Sequence, residues 1–129
     1  AHVAEVEADG KQIKAKKVWS AIDVGPILNM AGAKHQVEGC VIDALSSTQQ
    51  EMTFRDGAAQ HSNFNSYPLL RFEQAPEVEC HFIQNDIPPT GLGEPPFNPA
   101  VPAYANAIFA ASGVRIRNLP FRKDGIEVV

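Results

Sequence analysis

Cysteine is scarce in this chain: Cys40 and Cys80 are the only two among 129 residues. They lie far apart and lack metal-ligand spacing, so they read as free buried thiols rather than a disulfide framework or a metal knuckle. No apolar run approaches the roughly 18 residues a membrane-spanning helix needs. No basic-then-apolar signal segment opens the chain. Positive charge is in deficit, with eleven Lys and Arg against fifteen Asp and Glu, a formal charge of −4 and a pI near 5.5. Nothing in that balance favours nucleic acid as a partner. Only Lys14, Lys16 and Lys17 crowd together, and they read as the wet edge of a strand. Phosphate-cradling G-x-x-x-x-G-K-[ST] and dinucleotide-type G-x-G-x-x-G are both missing. Ser46 and Ser47 lack the strand–turn–helix glycine context of a nucleophile elbow. His35 has no His or Cys four residues on, which argues against zinc, and His2, His61 and His81 are equally isolated.

What is present is the composition of an ordinary globular protein, 44% hydrophobic and 20% charged, with a length suited to one domain over residues 1–129. The opening "AHVAEVEADG" already alternates like a strand, so the chain reads as starting inside a longer protein, with any targeting signal upstream. Val3–Ala8 and Ile13–Val24 form a predicted β-hairpin around Asp9-Gly10. Gly25-Pro26 breaks it. Met30, Ala33, Val37, Cys40, Val41, Ala44 and Leu45 then trace one apolar stripe of a helix about five turns long. Gly39 within it costs roughly 1 kcal/mol against alanine, and such a glycine often marks close approach by another element or a ligand. Further strands are predicted at Gln50–Phe54 and Val78–Gln84, with a turn at Asp56-Gly57 and an ordered loop over His61–Leu70. A second helix starts with Asn98 as N-cap and Pro99 at its first position. Its predicted inner face is Val101, Ala105, Ile108, Phe109 and Ser112, and Gly113 stops it. The tail returns as a short strand. A hairpin, further strands and two main helices make the fold class α+β.

Between the last long strand and the second helix runs a segment rich in glycine and proline, Asp86 to Asn98. A stretch of this length without regular structure is more often functional than idle. Its centre, "TGLGEPP", holds one acid in a stiff frame, since proline fixes φ and glycine permits unusual backbone. Glu94 therefore has two uses open to it: a general base aimed into a cleft, or a turn acid capping nearby N–H groups. On the first helix Gln36 can donate and accept, which suits reading a heterocycle or cofactor edge as well as simple solvation. In "NFNSYPLLR", Asn63 and Asn65 suit loop backbone, Tyr67 packs beneath, and Arg71 is placed to pair with an acid.

Four segments together carry a resemblance: "VWSAIDVG" (Val18–Gly25), "HQVEGCVIDALSS" (His35–Ser47), "SNFNSYPLLRFEQAP" (Ser62–Pro76) and "GLGEPPFNPAVPAYANAIFAASGVRIRNLPF" (Gly91–Phe121). They resemble the C-terminal part of the molybdopterin-binding large (beta) subunit of the molybdenum hydroxylases, the xanthine dehydrogenase and aldehyde oxidase family, nearest its isoquinoline 1-oxidoreductase type. The sequence departs from the family pattern at Ala44-Leu45-Ser46, where Gly-Leu-Ser is usual, at Met30, where proline is usual, and at Ser112, where threonine is frequent. The resemblance implies a fragment of a longer subunit that hydroxylates an N-heteroaromatic or aldehyde carbon with water-derived oxygen. It implies Glu94 as the active-site base, and Gln36, Gly39 and Gly93 as cofactor-binding positions. It further implies a molybdenum–pterin cofactor in the full-length protein, with none held by these 129 residues alone, and as partners the rest of the large subunit and an iron–sulfur small subunit. A non-catalytic interaction module of the same fold is the alternative.

Overall fold

The computed structural model describes all residues 1–129. Strand β1 (His2–Asp9) and strand β2 (Gln12–Ile22) form the antiparallel hairpin the alternation predicts. Gly10, at φ 60°, makes the turn. The pairing shifts register between Glu5 and Val6, where Glu5 faces Lys17 and Val6 faces Ala15, leaving Lys16 as the extra residue of a bulge. That bulge flips the pleat. Ile13 and Ala15 point inward before it, and Val18, Ser20 and Ile22 point inward after it.

After the β2 strand the chain enters helix α1 (Met30–Ser47). Asn29 caps it, its Oδ1 accepting from the Gly32 N–H at 3.0 Å. The apolar stripe is buried from Ala33 to Leu45, but Met30, in the first turn, is 41% exposed. Strands β3 (Phe54–Arg55) and β4 (Ala58–Ala59) form a two-residue hairpin apart from the main sheet. Its Asp56-Gly57 turn has positive φ at both residues, 52° and 79°, the geometry a tight hairpin prefers. No strand covers Gln50–Thr53; the Thr53 carbonyl accepts from the Gln60 N–H at 2.9 Å, and regular pairing starts only at Phe54. Over His61–Leu70 the chain is an ordered loop. There Asn63 accepts from the Phe64 N–H, and Tyr67 donates to the Gln50 carbonyl at 3.4 Å. Arg71 finds no acid; its backbone N–H donates to Gln74 instead.

Strand β5 (Glu77–Phe82) lies parallel to β2, Val18 opposite Val78 and Ile22 opposite Phe82. The tail's strand β6 (Glu127–Val128) pairs parallel with the start of β2. The β2 strand is therefore central, and the three lysines lie on the solvent face of a central strand rather than at an edge. Lys16 meets Glu7 at 3.4 Å, and Lys17 sits between Glu77 and Glu79 at 2.9 and 2.8 Å.

Helix α2 (Phe97–Ser112) begins two residues earlier than predicted. Pro96 already has φ −71° and ψ −19°, so the prolines start the helical backbone before Asn98 is reached. Its inner face is Ala100, Tyr104 and Ile108. Phe109, predicted inside, is 40% exposed and packs instead against the Arg115 guanidinium, 3.5 Å from its ring centre. Gly113, at φ 75°, ends the helix. The α2 helix crosses β1 and packs on α1. Ile13, Val18 and Ile22 from the sheet meet Val37, Val41 and Leu45 from α1, Tyr104 and Ile108 from α2, and Phe121 and Ile126 from the tail in one core. Each such aliphatic side chain, fully buried, contributes about 1.5–3 kcal/mol. The architecture is α+β. No helix is long and apolar enough to cross a membrane.

Candidate active site

The glycine- and proline-rich segment is pinned along its length. Asn85 donates to Asp23 at 2.7 Å, and the Thr90 N–H donates to the Val24 carbonyl at 3.2 Å. Gly25 is where the two stretches meet. At φ 79°, a Cβ on it would stand 2.7 Å from the Ile87 carbonyl oxygen and 3.2 Å from Pro89 Cα. The segment then turns at Gly91, φ 86°, tucks Leu92 against the core, and passes Gly93 and Glu94 over the side of α1.

There the segment and the helix border a solvent-open cavity of ≈ 440 Å³, lined by Gln36, Gly39, Cys40, Asp43, Gly93, Glu94, Phe97 and Asn98. All four site positions picked from the sequence, Gln36, Gly39, Gly93 and Glu94, line this one cavity. Two donors on successive turns of α1 converge on one carbonyl. Gln36 Nε2 donates to the Gly93 oxygen at 2.8 Å, and Cys40 Sγ donates to the same oxygen at 3.0 Å. Cys40 is thus a buried free thiol, as expected, with a positioning contact that its packing alone did not reveal. Cys80 is only partly buried, and burial raises its pKa above the ordinary thiol value.

The Glu94 side chain is exposed and has no hydrogen bond or ion pair within the chain. The cap that opens α2 is its main chain: the Phe97 N–H donates to the Glu94 carbonyl at 2.9 Å. The carboxylate is left free at the cavity. Of the two uses expected of Gly39, close approach by another element is not found. A Cβ there would meet nothing within 4 Å, so no element of this chain approaches it, and its bare backbone faces the cavity. The close approach belongs to Gly25.

His2, isolated in the sequence, is not isolated in space. Its Nε2 lies 2.8 Å from the Pro96 carbonyl oxygen, and its Nδ1 lies 2.6 Å from Ser20 Oγ. A carbonyl only accepts, so Nε2 carries the proton and the Ser20 hydroxyl donates to Nδ1. Burial, the largest influence, lowers the His2 pKa below its ordinary value, with the Pro96 bond opposing. His2 and Ser20 face each other across the hairpin, so register was the one sequence signal able to pair them.

Three comparisons bear on this arrangement. Residues 1–76 match the family described as the molybdopterin cofactor-binding domain. The chain is 37% identical over 123 residues to a membrane-bound aldehyde dehydrogenase [pyrroloquinoline-quinone] of Gluconacetobacter polyoxogenes, covering 93% of this chain and 16% of that protein. It is 34% identical over 111 residues to the isoquinoline 1-oxidoreductase subunit beta of Brevundimonas diminuta, covering 85% of this chain and 14% of that subunit. In fold it is similar to the Cu,Mo-CO dehydrogenase, with a TM-score of 0.72 at 22% identity, over 88% of this chain and 16% of that one. The chain thus spans about a sixth of the length of proteins it matches.

Proposed function

This chain belongs to the molybdopterin cofactor-binding domain family, and from that premise we propose that it is part of a molybdenum hydroxylase in which Glu94 is the active-site base. The observation that carries the reading is the convergence of Gln36, Gly39, Gly93 and Glu94 on one cavity. The residues fit the group. Gln36 spends its Nε2 on Gly93 and keeps Oε1 as a free acceptor for a pterin edge. Gly39 offers bare helix backbone that a side chain would otherwise cover. When bound, a molybdenum–pterin group supplies two-electron oxidation with water as the oxygen source.

The chain's own part is proton handling and placement. Glu94, free of internal partners, would accept the proton of the water-derived nucleophile as that oxygen bonds to carbon, while the carbon's C–H bond breaks and its electron pair leaves in the two-electron oxidation that the bound group would supply. Its backbone neighbours, Gly93 and the two prolines, limit the play of the backbone that carries the carboxylate, which suits a general base, whose working reach is about 2.6–3.2 Å. The substrate class is an N-heteroaromatic ring carbon or an aldehyde carbon, in keeping with the names of the relatives. The remainder of a large subunit and an iron–sulfur small subunit complete the enzyme, and the 129 residues alone retain no cofactor and no activity.

The test is Glu94→Gln in the full-length protein with its partner subunit. Molybdenum content is expected to hold while hydroxylation of isoquinoline or an aldehyde falls by about 10² or more, the size of a lost general base. Full turnover with metal retained would return Glu94 to a purely architectural role.

A further inference from the structure

We infer that His2 is a positioning residue for Glu94, clamping the Pro96 carbonyl from the sheet while Gln36 and Cys40 clamp the Gly93 carbonyl from α1. The inference rests on Glu94 being the base. With no partner of its own, the Glu94 side chain takes its direction from the backbone on either side. Upstream, the Gly93 oxygen has two donors on α1. Downstream, Pro95 and Pro96 have no N–H to offer, so carbonyls are their only hydrogen-bonding handles. The Pro96 carbonyl is held by His2 Nε2, 94 positions away in the chain. Pro96 itself is buried. Glu94 is thus suspended between the helix layer and the sheet layer, two residues from the sheet-side contact.

Ser20 sets the clamp's polarity. It is fully buried, and its hydroxyl at 2.6 Å selects the tautomer in which Nε2 bears the proton. Burial also favours the neutral ring, which is the form this pair of contacts requires. Loss of the clamp frees the downstream side of the loop without removing any side chain from the cavity lining. The consequence for a base is kinetic, because misplacement by about 1 Å costs up to about 10² in rate.

The experiment uses the full-length enzyme with its partner subunit, as wild type, His2→Ala, His2→Gln and Ser20→Ala. Two quantities are read: the kcat and KM of hydroxylation at constant molybdenum content, and amide hydrogen exchange of Thr90–Glu94 against that of α1. For His2→Ala, kcat is expected to fall between about 10- and 10²-fold with KM unchanged, and the loop amides to exchange faster while α1 does not. His2→Gln, which keeps an N–H donor, is expected to recover most of both, and Ser20→Ala to fall between. Wild-type loop exchange and kcat in His2→Ala overturn the inference. So does a uniform rise in exchange, α1 included, that His2→Gln fails to reverse, since that is general destabilisation. The exchange readout does not depend on chemistry. If His2→Ala loosens the loop but Glu94→Gln keeps full turnover, the base reading fails and the contact itself stands. If Glu94→Gln abolishes turnover and His2→Ala changes neither readout, the clamp fails and the base reading stands.

Discussion

Tyr104 is the largest side chain in the core, 1% exposed, and its hydroxyl has no hydrogen-bond partner. A buried hydroxyl without a partner costs about 1–3 kcal/mol, so Tyr104→Phe, which keeps the ring and drops the oxygen, is expected to stabilise the fold by about 1 kcal/mol. Alkaline pH amplifies the difference. Burial raises the Tyr104 pKa well above the ordinary phenol value of 10.0. Above pH 10 the unfolded chain releases this proton and the folded chain keeps it, so the unfolded state gains and stability falls as pH rises. The phenylalanine variant has no such proton, and its advantage is expected to widen above pH 10. Denaturant unfolding at pH 7 and pH 10.5 measures both effects. A lower midpoint for the variant at both values would mean that the hydroxyl has a partner after all.

At the scale of elements, Gly25 and Gly39 make opposite expectations from the same residue type. Alanine at Gly25 would be strained by its positive φ and would press on the Ile87 carbonyl, so Gly25→Ala is expected to destabilise by roughly 1–3 kcal/mol and to displace the Glu94 segment. Alanine at Gly39 meets nothing and gains about 1 kcal/mol of helix propensity. If Gly39 is reserved for a cofactor, Gly39→Ala raises the melting temperature yet lowers molybdenum content in the full-length protein. Higher stability with full metal loading would show that the site does not need this glycine. The two positions also mark what the sequence can and cannot convey. Periodicity located α1 and its buried stripe, and turn chemistry located Asp9-Gly10, Asp56-Gly57 and the Gly113 stop, because these are local properties. The bulge at Lys16, the start of α2 at Phe97 and the outward turn of Phe109 depend on tertiary neighbours, which periodicity does not see. The stiff frame of the loop and the pattern of α1 single out Glu94, Gln36 and Gly39, and resemblance to known motifs adds Gly93 and implies a role for each. His2 and Ser20 had no motif to betray them, since a histidine becomes a clamp only when a distant carbonyl is brought to it.

Across the whole molecule, apolar exposure is uneven. Phe54, Phe64 and Phe72 are 71%, 69% and 96% exposed, and Met52 and Leu69 accompany them on the same stretch between α1 and β5. Scattered exposed leucines are ordinary on any protein surface, but several aromatics on one short stretch are not. The stretch owes little to the core: its regular structure is the two-residue pairing of β3 with β4 and the single 3-10 turn at Phe72–Gln74. A formal charge of −4 is too small to hold copies apart at physiological salt, where screening acts over about 8 Å. The 129-residue chain on its own is therefore expected to self-associate through this stretch at micromolar concentration. Replacing Phe54, Phe64 and Phe72 together with lysine should give a monomer with unchanged far-ultraviolet circular dichroism, because none of the three contributes to the core. Sedimentation equilibrium of the two proteins decides the matter. In the proposed full-length subunit the same stretch is expected to be covered by the rest of the chain, so the triple lysine variant made there should unfold at lower temperature than wild type. If it improves solution behaviour in the short chain and costs nothing in the long one, the stretch faces solvent in both.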